Sequence, residues 1–154
     1  MDALELKIPP PFVGLVVAAA MWAAAKASPS LTHTAPLFLS FASAVLAVAG
    51  FAVSVAGVVA FRNAKTTIDP LKPETSTNLV TGGIYSVTRN PMYLGMLLVL
   101  GAWAALLGSL PALIGPVVFA FYITRFQIIP EERVLSSLFG DVFTAYTAQV
   151  RRWL

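Results

Sequence analysis

Cysteine is absent from this chain, and histidine occurs once, at His33. Disulfides, thiolate metal sites and cysteine nucleophiles are therefore excluded, and no metal site is expected. Charge is scarce too: Asp, Glu, Lys and Arg together make up 11% of the 154 residues, against 58% hydrophobic residues. That balance excludes an ordinary soluble domain and indicates an integral membrane protein. The net charge of +3 is weakly basic, and no nucleic-acid partner is expected. Where the cations lie matters more than their sum, because lysine and arginine mark the cytoplasmic side of a membrane protein.

What is abundant is apolar sequence. A bilayer core of about 30 Å takes roughly 20 apolar residues in helical form, and four segments approach that length, at about 11–27, 36–61, 91–108 and 111–129. The expected fold is all-α: a bundle of four transmembrane helices with short C-terminal interfacial helices, forming one domain over 1–154. The 36–61 span carries no charge, and Gly108-Ser109-Leu110-Pro111 reads as a tight turn between the last two spans. The acidic, proline-rich start, with Asp2, Glu5 and Pro9-Pro10-Pro11, is wrong for a cleaved signal peptide, so the first span is expected to be retained. Cations collect in the 62–90 linker and the 130–154 segment. Both are expected on the cytoplasmic side of a prokaryotic cytoplasmic membrane, with both termini. Along the second span, Ser43, Ala47, Gly50, Ser54 and Gly57 alternate at spacings of four and three, a stripe suited to close helix packing.

The polar residues gather at one end of this arrangement. Asn90 and Pro91 suit an N-cap and a first helical turn. Pro130 reads as another helix start, with Glu131 and Glu132 in its favourable first turn and Gly140 as its stop. A second amphipathic helix from Asp141 would place Phe143, Tyr146 and Val150 on one side. Carboxylates on the leaflet side that repels anions nevertheless need a reason. The tight turn makes the last two spans antiparallel neighbours, which brings Arg89, Asn90 and Tyr93 towards Arg125, Gln127, Glu131 and Glu132. Mixed charges beside an apolar pocket suit a zwitterionic small molecule.

Three stretches carry a resemblance to a known family: Leu79-Val80-Thr81 with Gly83 and Tyr85; Arg89-Asn90-Pro91 with Tyr93 and Gly95; and Glu131-Glu132 with Leu135, Phe139-Gly140, Phe143, Tyr146 and Val150. Taken in order, with two spans between the second and third, they resemble the isoprenylcysteine carboxyl methyltransferase family of integral membrane enzymes, including its short prokaryotic members. The resemblance implies S-adenosylmethionine as methyl donor, bound at the cytoplasmic ends of the last helices under the C-terminal segment. The implied acceptor is a lipophilic small molecule or lipidated substrate arriving from among the membrane lipids. Gly83, Tyr85, Arg89, Asn90, Tyr93, Glu131 and Glu132 become the expected cofactor residues; the expected catalytic residues are Glu132 and, from its position alone as a cation that could orient an acceptor carboxylate, Arg125. The family usually has histidine where this chain has Asn90, and often tyrosine where it has Phe143. Asparagine keeps hydrogen bonding but does not titrate near neutrality, so no acid or base is expected there. Two other readings fit the same residues: a membrane reductase related to sterol reductases, and a non-catalytic scaffold of the same fold. Oligomeric state is not legible.

Overall fold

The computed structural model describes residues 4–67 and 69–154; Asp2 and Ile68 lie outside the described residues. Among these, the secondary structure is helical: α1 (Pro10–Ala27), α2 (Leu37–Asn63), α3 (Pro91–Leu107), α4 (Ile114–Ile123) and α5 (Ile129–Gln149), with no strand. Short 3-10 turns lie at Pro29–Leu31, Pro73–Thr75, Gly83–Ser86 and Pro111–Leu113. Proline occupies the first turn of α1 and α3 and of three of the 3-10 turns, where its missing N–H costs nothing and its fixed φ favours the helix.

Three helical units, Pro10–Ala27, Leu37–Asn63 and Pro111–Gln149, are long and apolar enough to cross a bilayer. The expected count of four is not reached on that measure. Helix α3, with 17 residues, measures about 25 Å at 1.5 Å per residue, a few ångströms less than the hydrocarbon core. The last of these units, Pro111–Gln149, also corrects the boundary expected at residue 129. Helix α4 passes without interruption into α5 through a π-helical turn, Thr124–Ile128. Pro130 therefore starts no new helix. Lacking an N–H, it leaves the carbonyl of Phe126 without its α-helical donor, and the Leu6 N–H donates to that carbonyl at 3.1 Å. The break comes instead at Gly140, whose φ of 49° and ψ of −123° lie outside helical geometry and suit glycine.

Helices α1, α3 and α4 share the main core, where Phe119 and Ile123 are fully buried among Val13, Met21, Leu100 and Ala104. Helix α2 packs chiefly on α3, and the small-residue stripe is the reason it approaches so closely. A methyl group added at Gly50 would lie 2.7 Å from the carbonyl oxygen of Gly95, and one added at Gly95 would overlap Ser54 and the Gly50 backbone. Lipid tails are as apolar as the helix surface, so close van der Waals contact of this kind has to hold the pair together. Ser54 adds a hydrogen bond to the carbonyl of Met92 at 3.1 Å. At one end of the bundle, His33 donates to the carbonyl of Gly108 at 2.9 Å and Leu110 to that of Leu31 at 3.2 Å, which ties the 28–35 loop to the α3–α4 turn. The N-terminal segment, the 64–90 linker and the C-terminal tail meet at the other end.

Candidate functional site

At this polar end a cavity of about 830 Å³, counting its open mouth, lies between the linker, the start of α3 and both sides of the Gly140 break. Arg89, Asn90, Tyr93, Glu131 and Glu132 all line it, as does Tyr85. The last turn of α2 contributes Phe61, whose ring lies 5.3 Å from that of Tyr85. Gly83, at φ +62°, does not line the cavity; it begins the 3-10 turn that carries Tyr85. Tyr85 is buried. Burial, reinforced by Tyr146 and Glu131 nearby, raises its pKa far above the ordinary tyrosine value, so its hydroxyl stays protonated.

The two glutamates divide the site. Glu131 Oε1 accepts from the Tyr93 hydroxyl at 2.6 Å and from Gln127 Nε2 at 2.6 Å. Gln127, itself 2% exposed, also donates to the carbonyl of Pro70 in the linker, so one side chain locks α5 to the loop above it. Glu132 instead meets two guanidiniums: Arg89 Nη2 at 3.3 Å, and Arg152 in a two-pronged bond at 3.1 Å and 2.7 Å. The Glu132 bond holds Arg152 above its ordinary pKa. Both carboxylates lie in a continuous helix, so the expectation that they serve a free helix N-terminus is corrected. Their partners are side chains.

Asn90 occupies the N-cap position of α3, yet its side chain makes no cap. Its Nδ2 donates to the carbonyl of Arg152 at 2.9 Å, beside Thr88 Oγ1 at 3.3 Å, while the Arg89 N–H donates to the carbonyl of Arg151 at 3.0 Å. These bonds hold the tail beside the site. Beyond Gly140 the chain turns back so that Phe143, Tyr146 and Val150 cluster with Leu79, Leu135 and Phe139. The Tyr146 hydroxyl donates to the carbonyl of Tyr85 at 2.7 Å, closing the cavity from that side.

Besides Gly83, which supports Tyr85 from outside the cavity wall, Arg125 is the expected site residue that the structure does not bring in. It does not line the cavity, and its Nη1 lies 3.0 Å from Glu5 Oε1. Sequence reasoning missed Arg152, placed only near the interface, and missed the linker wall of Asp69, Pro70 and Pro73. The signal for Arg152 was available: two adjacent carboxylates at a cationic membrane face need counter-charges, and Arg89 supplies only one.

Of the three buried side-chain atoms without a hydrogen-bond partner among the described residues, one belongs to the cavity lining. Arg89 Nε is buried and unbonded, although the guanidinium side chain is only 14% exposed. A buried cationic donor left unmatched is costly, and its position on an apolar-walled cavity suits an anionic group arriving with a ligand. The Glu131 carboxylate, whose partners are the neutral Tyr93 and Gln127, suits an ammonium, and the apolar and aromatic lining suits a flat ring system. This set fits S-adenosylmethionine.

Comparison with known proteins bears on the same region. No solved structure matches the chain. An uncharacterized protein of Haemophilus influenzae is 48% identical over 63 residues, which are 41% of this chain and the whole of that protein. The model of the phospholipid methyltransferase family matches residues 38–142, from α2 past the Gly140 break. With the cavity's α2 wall, linker, Arg89 segment and both glutamates inside that match, the chain belongs to the phospholipid methyltransferase family, a family of the isoprenylcysteine carboxyl methyltransferase type.

Proposed function

We propose that the protein binds S-adenosylmethionine in the cavity between α3, the linker and α5, and transfers its methyl group to a lipophilic acceptor at the cytoplasmic membrane face. The observation that carries the reading is the unpaired, buried Nε of Arg89 in a mainly apolar cavity that also holds the Glu131 and Glu132 carboxylates. When bound, S-adenosylmethionine supplies an electrophilic methyl group on a sulfonium, which an acceptor nucleophile displaces in line, leaving a neutral thioether.

The residues of the chain then have distinct tasks. Arg89 turns its free Nε to the donor's carboxylate, a charge-assisted bond in a partly desolvated site. Glu132, neutralised by Arg89 and Arg152, fixes the direction of the Arg89 guanidinium. Glu131 faces the donor's ammonium, held in place by Tyr93 and Gln127. Tyr85, Phe61, Leu135 and Phe143 exclude water. Asn90 holds the tail and leaves no titrating group at that position, which suits displacement by an acceptor already ionised, since no proton has to move. Positioning and preorganised charge suffice for such a step. Arg125, paired with Glu5, is left out of the chemistry.

Calorimetry on the purified protein tests the reading: S-adenosylmethionine and its product S-adenosylhomocysteine should bind, and NADPH should not. Binding of NADPH alone would favour the reductase, and binding of neither would favour the scaffold.

A further inference from the structure

We infer that residues 4–8 form a strap that fixes the π-helical turn and so positions Gln127, Glu131 and Glu132, with Glu5 as its anchoring residue; the part concerning ligand affinity rests on the function proposed above. Glu5 is the most deeply buried of the three charged side chains in this cluster: its side chain is 3% exposed, against 40% for Arg125 and 55% for Arg133. Its two carboxylate oxygens are divided between those arginines, Oε1 to Arg125 at 3.0 Å and Oε2 to Arg133 at 3.3 Å. The next residue, Leu6, gives its N–H to the Phe126 carbonyl that Pro130 leaves without a donor. Ile8 packs on the main core. The strap thus grips the helix before, within and after the stretch 126–132.

That stretch is where register matters. A π turn holds one residue more than an α turn, and each residue turns a helix by about 100°. Gain or loss of the extra residue would swing Glu131 away from Tyr93 and Glu132 away from Arg89 and Arg152. Pro130 makes some irregularity unavoidable but does not choose its form, because the orphaned carbonyl needs only some donor. Leu6 is that donor here, and the Glu5 ion pairs, one to Arg125 within the turn and one to Arg133 beyond it, hold Leu6 in place. Glu5 lines no part of the cavity, so any effect it has on the site is exerted through the turn.

The test compares wild type, Glu5→Gln, Glu5→Asp and Trp103→Phe, all purified in detergent. Trp103→Phe is the control for general destabilisation, because it removes the Nε1 bond to the Ala18 carbonyl in the α1–α3 contact. Two readouts are taken without and with donor: amide hydrogen exchange of 124–132, and affinity for S-adenosylhomocysteine by calorimetry. Glu5→Gln should speed exchange selectively in 124–132 and weaken affinity by about 3-fold to 30-fold, the range of indirect coupling. Glu5→Asp should recover part of both, and Trp103→Phe should lower the melting temperature without either effect. Exchange in 124–132 as slow in Glu5→Gln as in wild type would overturn the strap whatever the ligand data say. Selective exchange with unchanged affinity would overturn the positioning role. Failure of wild type to bind the nucleoside would overturn the proposed function and leave exchange to decide the strap.

Discussion

Arg89→Ala separates a ligand-binding arginine from an interfacial one, and its magnitude can be worked from the contacts. In the unliganded protein the substitution removes one ion pair at 3.3 Å, while Glu132 keeps both prongs of Arg152, at 3.1 Å and 2.7 Å. A partly exposed pair of this kind contributes about 0–1 kcal/mol. The melting temperature should therefore fall by no more than about 4 °C. With donor present the loss is larger, because the variant forfeits a charge-assisted bond worth about 1.5–3 kcal/mol, a 10-fold to 150-fold rise in Kd at about 1.4 kcal/mol per decade. Arg89→Lys keeps a charge but not the Nε fork, and should fall between the two. Calorimetry and melting measured on the same preparations decide the matter. A lowered melting temperature with an unchanged Kd would refute the reasoning and make Arg89 a structural residue.

Asn90→Ala should leave the Arg152 carbonyl with only the longer Thr88 bond and cost about 1 kcal/mol in unfolding free energy, read by thermal melting, whereas Asn90→His should retain donor binding. Tyr93→Phe removes the 2.6 Å bond to Glu131 and should weaken donor affinity by about 5-fold to 10-fold, the worth of one such bond, seen by calorimetry. Gly95→Ala places a methyl against the backbone of α2 and should destabilise by about 1–3 kcal/mol through overpacking, while Gly101→Ala, with only Leu46 at 4.0 Å, should be tolerated; melting temperatures compare the two. Because the chain has no native cysteine, Ser76→Cys reports orientation directly: an impermeant maleimide applied to intact cells should leave it unlabelled, and labelling would reverse the proposed topology.

Much of the cavity was legible because its residues are tied to membrane geometry. A tight turn at Gly108 makes two spans antiparallel, and the residues at their far ends, Arg89, Asn90, Tyr93, Glu131 and Glu132, must then approach one another. The stripe from Ser43 to Gly57 likewise had one physical use, packing on α3. Pro130 misled because proline is common at helix starts, and local sequence does not reveal that a residue more than a hundred positions earlier supplies the missing donor. Arg125 misled for the same reason: adjacency to the site in sequence says nothing of the π turn that carries its side chain towards Glu5. The need for a second counter-charge was legible, but the Gly140 break concealed that Arg152 supplies it. Glycine there signals a stop, and only the positive φ and the return of Phe143 and Tyr146 onto Leu79 bring the tail back to Glu132.

The claim that this cavity holds the methyl donor is tested most directly by ultraviolet crosslinking of methyl-labelled S-adenosylmethionine to the purified protein, followed by peptide mapping of the label. The account predicts adducts confined to the cavity walls, in peptides covering Phe61, Leu79–Tyr93 or Glu131–Tyr146, competed by S-adenosylhomocysteine and strongly reduced in Arg89→Ala. Label on α1 or on the Ser28–Ala35 end of the bundle, or label that S-adenosylhomocysteine fails to displace, would contradict it.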